Sequence, residues 1–440
     1  MLKMYAALKN NPGEIVKAAA RHRLINFARY MQPDLALEPF HVVYYTLLDK
    51  FAHGEIKKMI VQMPPQHGKS EGSSRKLPAF MLGLNPDTKI CIGSYAATIA
   101  RDFNRDVQRI IDTPKYREIF PKTFLNGSNM VTMANTYLRN SDVIEMVGHK
   151  GSLRVVGRGG ALTSKTVDVM IMDDVYKDYS EGNSPIVRNA AWKWYTTVVK
   201  KRLHNKSQEL IVFTRWHEED LIGKIEKGGE KIIDIKSWDS IKNIPDGAWV
   251  RINFEALKTG EPNEIDPREP GAALWENMHS RAKLERERAL DPIQFQCLDQ
   301  GNPGSAEGRL YRNPFRTYVD KSEWGTFVRS GNYTDVADEG DDFTFSACYD
   351  VYKSGNEAWN EQKKRFEPIL YALITDMVFT QENTEVTAVT VPEMINRCGT
   401  QKAWIESNNG GAGFEKLIRK KIKAISEPFY QGANKESRII

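Results

Sequence analysis

Apolar residues collect in short unbroken runs along this chain: Met59–Met63, Lys89–Gly93, Val143–Val147, Leu153–Val156, Val167–Met172 and Leu210–Phe213. Runs of this length that do not alternate with polar residues predict strands buried on both faces, as in a parallel sheet. Between several of them apolar positions recur at helical spacing, notably in Ala96–Ile111 and Asn189–Leu203. Ile15–Tyr30 has the same period, and Pro39-Phe40-His41 opens a further apolar stretch, Val42–Phe51. Strands alternating with helices predict an α/β fold with a parallel-rich central sheet. From Gly228 to Asp320 the rhythm changes. Gly, Pro and charge dominate Gly247–Gly271, and a charged helix is predicted at Ser280–Leu290. Beyond it, Thr344–Tyr352 and Ile369–Phe379 are long β-rich runs, followed by a helix at Thr387–Arg397, a strand at Lys402–Glu406 and a helix at Gly413–Ile422. Meandering strands, a helix and a further strand form the opening order of an RNase H-like α/β domain.

Composition narrows this little. With 440 residues, 41% hydrophobic and 27% charged, the chain reads as a soluble protein of two domains. No apolar run approaches the roughly 20 residues of a membrane span. Met1–Pro12 has too short an apolar core for a secretory signal. The four cysteines are scattered with no CxxC pair, which fits a reduced compartment and neither a zinc site nor a disulfide frame. A net charge of +5 is compatible with nucleic acid without requiring it.

The run Lys58-Met59-Ile60-Val61 leads straight into Met63-Pro64-Pro65-Gln66-His67-Gly68-Lys69-Ser70. A strand ending in Gly-Lys-Ser is the chemistry of a phosphate-binding loop. Backbone N–H groups cradle phosphates, Lys69 adds a point charge and the Ser70 hydroxyl holds Mg²⁺. The strict pattern fails at its first position, where Met63 replaces Gly. Gln66, His67, Gly68, Lys69, Ser70 and Glu71 are thus the candidate nucleotide-binding residues. A nucleotide site also needs an acid for Mg²⁺ and a group to orient water. Val169-Met170-Ile171-Met172-Asp173-Asp174 ends in two carboxylates, Asp173 for the metal and Asp174 for the water. The alternative is a solvated acidic turn. Thr214, after the next strand, is placed to sense the γ-phosphate, although a Thr-Arg at a strand end is more often a simple cap.

Pro64–Glu71, Gly159-Gly160-Ala161-Leu162-Thr163, Ile171–Asp174 and Thr214-Arg215-Trp216-His217 occur in an order that resembles the large terminase subunit of tailed bacteriophages. The similarity extends to Ala273-Leu274-Trp275, Gln300-Gly301-Asn302-Pro303 and Glu307-Gly308. It implies an ATP-driven motor that moves double-stranded DNA through a portal into a prohead, with a metal-dependent nuclease that cuts concatemeric DNA. ATP and Mg²⁺ are the implied cofactors, with Mn²⁺ possible at the nuclease. Portal protein, a small terminase subunit and further copies of the chain in a ring are the implied partners, and the host cytoplasm the implied location. On this reading residues 1–50 form a helical segment, 51–245 a P-loop ATPase domain, 246–325 an end-cap and linker region and 326–440 an RNase H-like nuclease domain. The family's loop often carries Arg where this chain has Gln66. Arg158 and Arg154 are candidates for the arginine that reaches a neighbouring subunit's ATP, a surface or DNA-facing charge being the other reading. His41 stands near the place of the family's adenine-reading residue.

A nuclease that works with two metal ions needs carboxylates converging from different strands. The resemblance points to Asp335 on the first strand of the second domain and Glu406 at the end of a later one. Asp376, late in Ile369–Phe379, is a further metal-ligand candidate on one reading and an ordinary polar strand position on the other. Asp341 and Asp342 read as loop acids. The family's third carboxylate is expected beyond residue 440, so weak cutting is expected of this chain. Lys200-Lys201-Arg202 and Arg419–Lys423 are basic enough to meet phosphates or to be solvated helix faces. The rival readings are a DNA helicase or repair translocase, and a non-catalytic nucleic-acid-binding scaffold with a degenerate loop.

Overall fold

A computed structural model describes residues 12–127, 137–162, 166–303, 325–336, 343–360, 363–407 and 411–430. Thr163, Glu307-Gly308, Asp341 and Asp342 lie outside the described residues. The chain divides into two compact units, Met1–Arg312 and Asn313–Ile440.

The first unit is built on eight strands: β1 (Lys58–Gln62), β2 (Lys89–Ser94), β3 (Val143–Glu145), β4 (Ser152–Gly157), β5 (Val167–Asp173), β6 (Leu203–Val212), β7 (Ile232–Asp234) and β8 (Trp249–Asn253). Their order is β3-β4-β2-β5-β6-β1-β8-β7. All neighbours are parallel except β3 with β4. The apolar runs supply the middle strands. Met59, Ile60 and Val61 of β1, Val169 to Met172 of β5 and Leu210 to Val212 of β6 are buried. Alternate residues feed two cores, one per face: Met59, Val61, Ile171 and Leu210 on one side, Ile60, Met170, Met172 and Ile211 on the other. The sheet runs past residue 245, where the linker region was expected to begin. Trp249, Val250 and Ile252 make β8 a strand between β1 and β7. The helical stretch Ile15–Tyr30 is divided between helices α1 (Pro12–His22) and α2 (Leu24–Met31). Helix α3 (Pro39–Ala52) starts with Pro at its first turn and a reciprocal cap between Glu38 and His41. The helix leaving the phosphate loop is widened over Glu71–Lys76 and continues as α4 (Leu77–Leu84). The unit also holds α5 (Ala97–Asp112), α6 (Pro114–Ile119), α7 (Tyr179–Asn183), α8 (Pro185–Trp194), α9 (Leu221–Lys227) and α10 (Arg281–Leu290).

The second unit has strands β9 (Thr326–Asp335), β10 (Thr344–Asn360), β11 (Arg365–Thr380), β12 (Lys402–Glu406) and β13 (Ile425–Phe429) in the order β11-β10-β9-β12-β13. β9, β10 and β11 form an antiparallel meander, and β12 joins β9 in parallel after helix α11 (Thr384–Arg397). Helix α12 (Gly411–Ile418) then leads to β13, parallel to β12. Val391, Met394 and Ile395 of α11 pack with Ala403, Ile405 and Cys348 in its core. Among the described residues no helix is long and apolar enough to cross a membrane.

Candidate functional site

The candidate phosphate loop begins where β1 ends. Gln66 (φ 60°) and Gly68 (φ 82°) both take left-handed backbone angles, so successive N–H groups turn inward, as an anion-binding concavity requires. Gly68 is needed for a second reason: a Cβ there would come 3.2 Å from His41 Nε2. Helix α3 supports the loop from beneath. His41 Nδ1 accepts from Glu38 N–H, which leaves Nε2 as the donor to His67 O at 3.1 Å. Tyr44 OH donates to Lys69 O at 2.5 Å, and Tyr44 is fully buried. His41 therefore braces the loop's backbone. Burial holds its imidazole below the usual histidine range, so it stays neutral in that role.

Asp173 ends β5 and Asp174 follows it with φ 46°. Such an angle is uncommon for a residue with a side chain, and outliers of this kind gather at functional sites. Three bonds hold it: Asp174 N–H donates to Val212 O, while Tyr95 N–H and Ser94 Oγ–H donate to Asp174 O. Ser70 Oγ donates to Asp173 Oδ1 at 3.0 Å, and Ser74 Oγ donates to Asp173 Oδ2. Lys69 Nζ lies 3.2 Å from Asp174 Oδ2, whereas Asp174 Oδ1 is buried without a partner. Asp173 is wholly buried. Burial first, and the neighbouring Asp174 second, push its carboxyl up to about 6, against the opposing pull of Lys69 and the two serines. Two carboxylates beside one lysine make a site short of positive charge.

Thr214 is buried just past the end of β6, which lies between β5 and β1. Lys69, Ser70, Asp173, Asp174 and Thr214 thus gather at the C-terminal ends of three adjacent parallel strands, the usual ligand edge of an open α/β sheet. Glu71 pairs with Lys76 at 2.7 Å. Arg158 is engaged within its own chain: it donates to Val175 O at 2.7 Å and Glu181 Oε2 at 2.8 Å, and lies over the Tyr176 ring. Arg154 sits 3.6 Å from Glu145. Lys200, from the first basic cluster, is tied to Glu209 at 2.8 Å. Ser74 and Tyr44 were not singled out from sequence. For Ser74 the signal was present, since it lies four residues after Ser70 and so on the same helix face.

In the second unit, Asp335 and Glu406 come together at the ends of neighbouring strands. Thr334 pairs with Ile405 in the parallel register, which sets Asp335 beside Glu406. Tyr333 OH donates to Glu406 Oε2 at 3.0 Å, and Glu406 is 6% exposed. Asp376 does not join them. It pairs across the strands with Cys348, which pairs with Asn332, three residues from Asp335 and therefore on the opposite face. There it meets Arg397 of α11 at 2.6 Å, and that guanidinium holds its carboxyl below the usual range. Among the described residues no three His, Cys, Asp or Glu side chains converge on a common metal position.

A family model described as terminase large subunit, T4likevirus-type, N-terminal, matches residues 60–308. Three similar solved structures are all large terminases. The bacteriophage HK97 protein is 12% identical with a TM-score of 0.39, over 94% of this chain and 85% of that one. The Thermus phage P74-26 ATPase domain is 18% identical with a TM-score of 0.33, over 56% and 88%. A protein from a thermophilic bacteriophage, solved with ADP, is 10% identical with a TM-score of 0.31, over 89% and 83%. No curated protein matches the chain.

Proposed function

The chain belongs to the large terminase subunit family, and from that premise we propose that its first unit hydrolyses ATP to drive double-stranded DNA through a portal into a viral prohead. One observation carries the reading: the loop residues Lys69 and Ser70 meet Asp173 and Asp174 at one edge of the sheet, with Ser70 Oγ on Asp173 and Lys69 on Asp174. The loop's N–H groups bind the phosphates and Lys69 adds its charge to them. Asp174, whose Oδ1 is buried and unpartnered, orients the attacking water. Thr214 reports the state of the site from the strand between. The uncompensated carboxylate pair fits a divalent cation, which Ser70 and Asp173 would hold. When bound, Mg²⁺ neutralises charge on the phosphates. Gln66 in place of Arg leaves that loop position without a cation.

The second unit is proposed to be the nuclease, with Asp335 and Glu406 as its metal ligands and Tyr333 orienting Glu406. The further partners proposed are the portal, a small subunit and a ring of copies of this chain, and the proposed place of action is the host cytoplasm at the prohead.

The test is DNA-stimulated ATP hydrolysis by the wild type beside Lys69→Ala and Asp173→Ala, with purified portal-bearing proheads added. Turnover in the wild type that vanishes in both variants supports the motor. Absence of turnover in the wild type under all these conditions favours a non-catalytic scaffold, and turnover that survives Lys69→Ala means the nucleotide sits elsewhere.

A further inference from the structure

Two amide side chains at the strand ends beside the nucleotide site take hold of the segment Gln300-Gly301 of the first unit. Gln62 is the last residue of β1, directly before the phosphate loop, and its register partner across the sheet is Asn253, the last residue of β8. Gln62 Nε2 donates to Gly301 O at 2.9 Å, and Asn253 Nδ2 donates to Gln300 O at 2.9 Å. Two neighbouring strands thus grip two consecutive carbonyls. Gly301 is what lets the segment come so close: its φ is 65°, and a Cβ there would lie 2.3 Å from Asn253 Oδ1. Gln62 is 3% exposed. Arg215, the residue after Thr214, lines the same cavity of about 390 Å³ as Gln62, Asn253 and Gly301. The ends of β6, β1 and β8 therefore all meet Gln300–Pro303.

We infer that Gln62 and Asn253 are positioning residues that transmit the state of the phosphate loop to residues 300–303, so that binding of a nucleoside triphosphate is felt at that segment of the first unit. The inference rests on the ATPase reading. Its physical basis is continuity: a shift of the loop moves the end of β1, and Gln62 carries that shift to the Gly301 carbonyl without an intervening flexible segment. The backbone bond from Phe254 N–H to Gln62 O locks β8 into the same movement.

The test is hydrogen–deuterium exchange of the full chain, with and without ATP-γ-S and Mg²⁺. In the wild type, nucleotide is expected to protect residues 63–72 and to change exchange in residues 296–303. In Gln62→Leu the protection of 63–72 should persist while the change at 296–303 is lost. Asn253→Ala, which removes only the second grip, should weaken that change and serves as the variant of record if Gln62→Leu does not fold. A merely structural role would instead raise exchange throughout β1 and β8 without nucleotide and leave the response at 296–303 in place. That result overturns the inference, as does a wild type whose loop is protected while 296–303 does not respond. A wild type with no protection at 63–72 sinks the ATPase reading itself, and this inference with it.

Discussion

Removing the carboxylate of Asp220 should be among the most damaging single changes to the first unit, although Asp220 touches neither phosphate loop nor metal ligand. It accepts three bonds: from Arg215 Nε at 2.7 Å, from Trp216 N–H at 3.3 Å and from Gly223 N–H at 3.0 Å. The last is the N-cap of α9. The side chains of Arg215 and Asp220 are 5% and 0% exposed. Asp220→Ala leaves a guanidinium buried without its counter-charge, at a cost of roughly 3–5 kcal/mol. Loss of the cap adds about 1 kcal/mol. Together these approach the roughly 5–15 kcal/mol that holds a typical domain folded. Asp220→Asn keeps the cap geometry and should cost less. The double variant Arg215→Met/Asp220→Ala should be more stable than the sum of its singles predicts, by about 2 kcal/mol or more. Urea denaturation of the four proteins at pH 7.5, followed by tryptophan fluorescence, measures the cycle. A loss below about 1 kcal/mol in Asp220→Ala, or simple additivity, would refute the reasoning. It would mean that Arg215 turns away from Asp220 in solution and is free to serve elsewhere in the motif it shares with Thr214.

Burial holds His67 down to about 4. A base with a depressed pKa stabilises fully above its unfolded value of about 6.5 and loses that stability as pH falls through 4, some 3 kcal/mol in all; acid titration of His67→Leu should be flatter than wild type over that window. Ser74→Ala leaves the buried Asp173 Oδ2 without its donor, which should cost about 1–3 kcal/mol in urea denaturation and slow ATP turnover. Gly83→Ala drives a methyl group to within 2.3 Å of the Phe120 ring; the melting temperature should fall, the loss being about 1–3 kcal/mol, and Phe120→Leu should restore part of it. Asp376→Asn should leave metal-dependent cleavage of plasmid DNA unchanged in any preparation that cuts, whereas Asp335→Asn should abolish it.

The sequence told most where one strand carries its whole message. Met59–Met63 into Gly68-Lys69-Ser70, and Val169–Met172 into Asp173-Asp174, are each an apolar run with candidate site residues at its end, so both the strand and the place where those residues gather were legible. β8 was not, because Trp249–Asn253 is short and sits among Gly, Pro and charge. Only its pairing with β1 and β7 makes it a strand. The misplacement of Asp376 has a different cause. Period-2 reading tells which residues of one strand share a face, but which face that is relative to Asp335 depends on the register through β10, which no local pattern contains. Arg158 shows the same limit: its partner Glu181 is 23 residues away. Ser74 is readable from helical spacing, one turn beyond Ser70, although the loop motif itself ends at Glu71.

The three strands that carry the nucleotide-site residues have a second rim, and it is almost free of them. Leu203 pairs with Val167 and Gln208 with Val169, so residues 204–207 form an excursion at the far end of β6 from Thr214. His204, Asn205 and Lys206 are exposed there. Adjacent strands lie about 4.8 Å apart whatever their connections do, so the spacing of the strand ends that lead to the loop, Asp173 and Thr214 is set by the sheet and not by the turns behind it. A fluorophore or affinity tag introduced at Asn205 or Lys206 would therefore ride on the same strand as Thr214 while leaving the phosphate loop its dimensions, which makes that rim the place from which to watch a single motor at work.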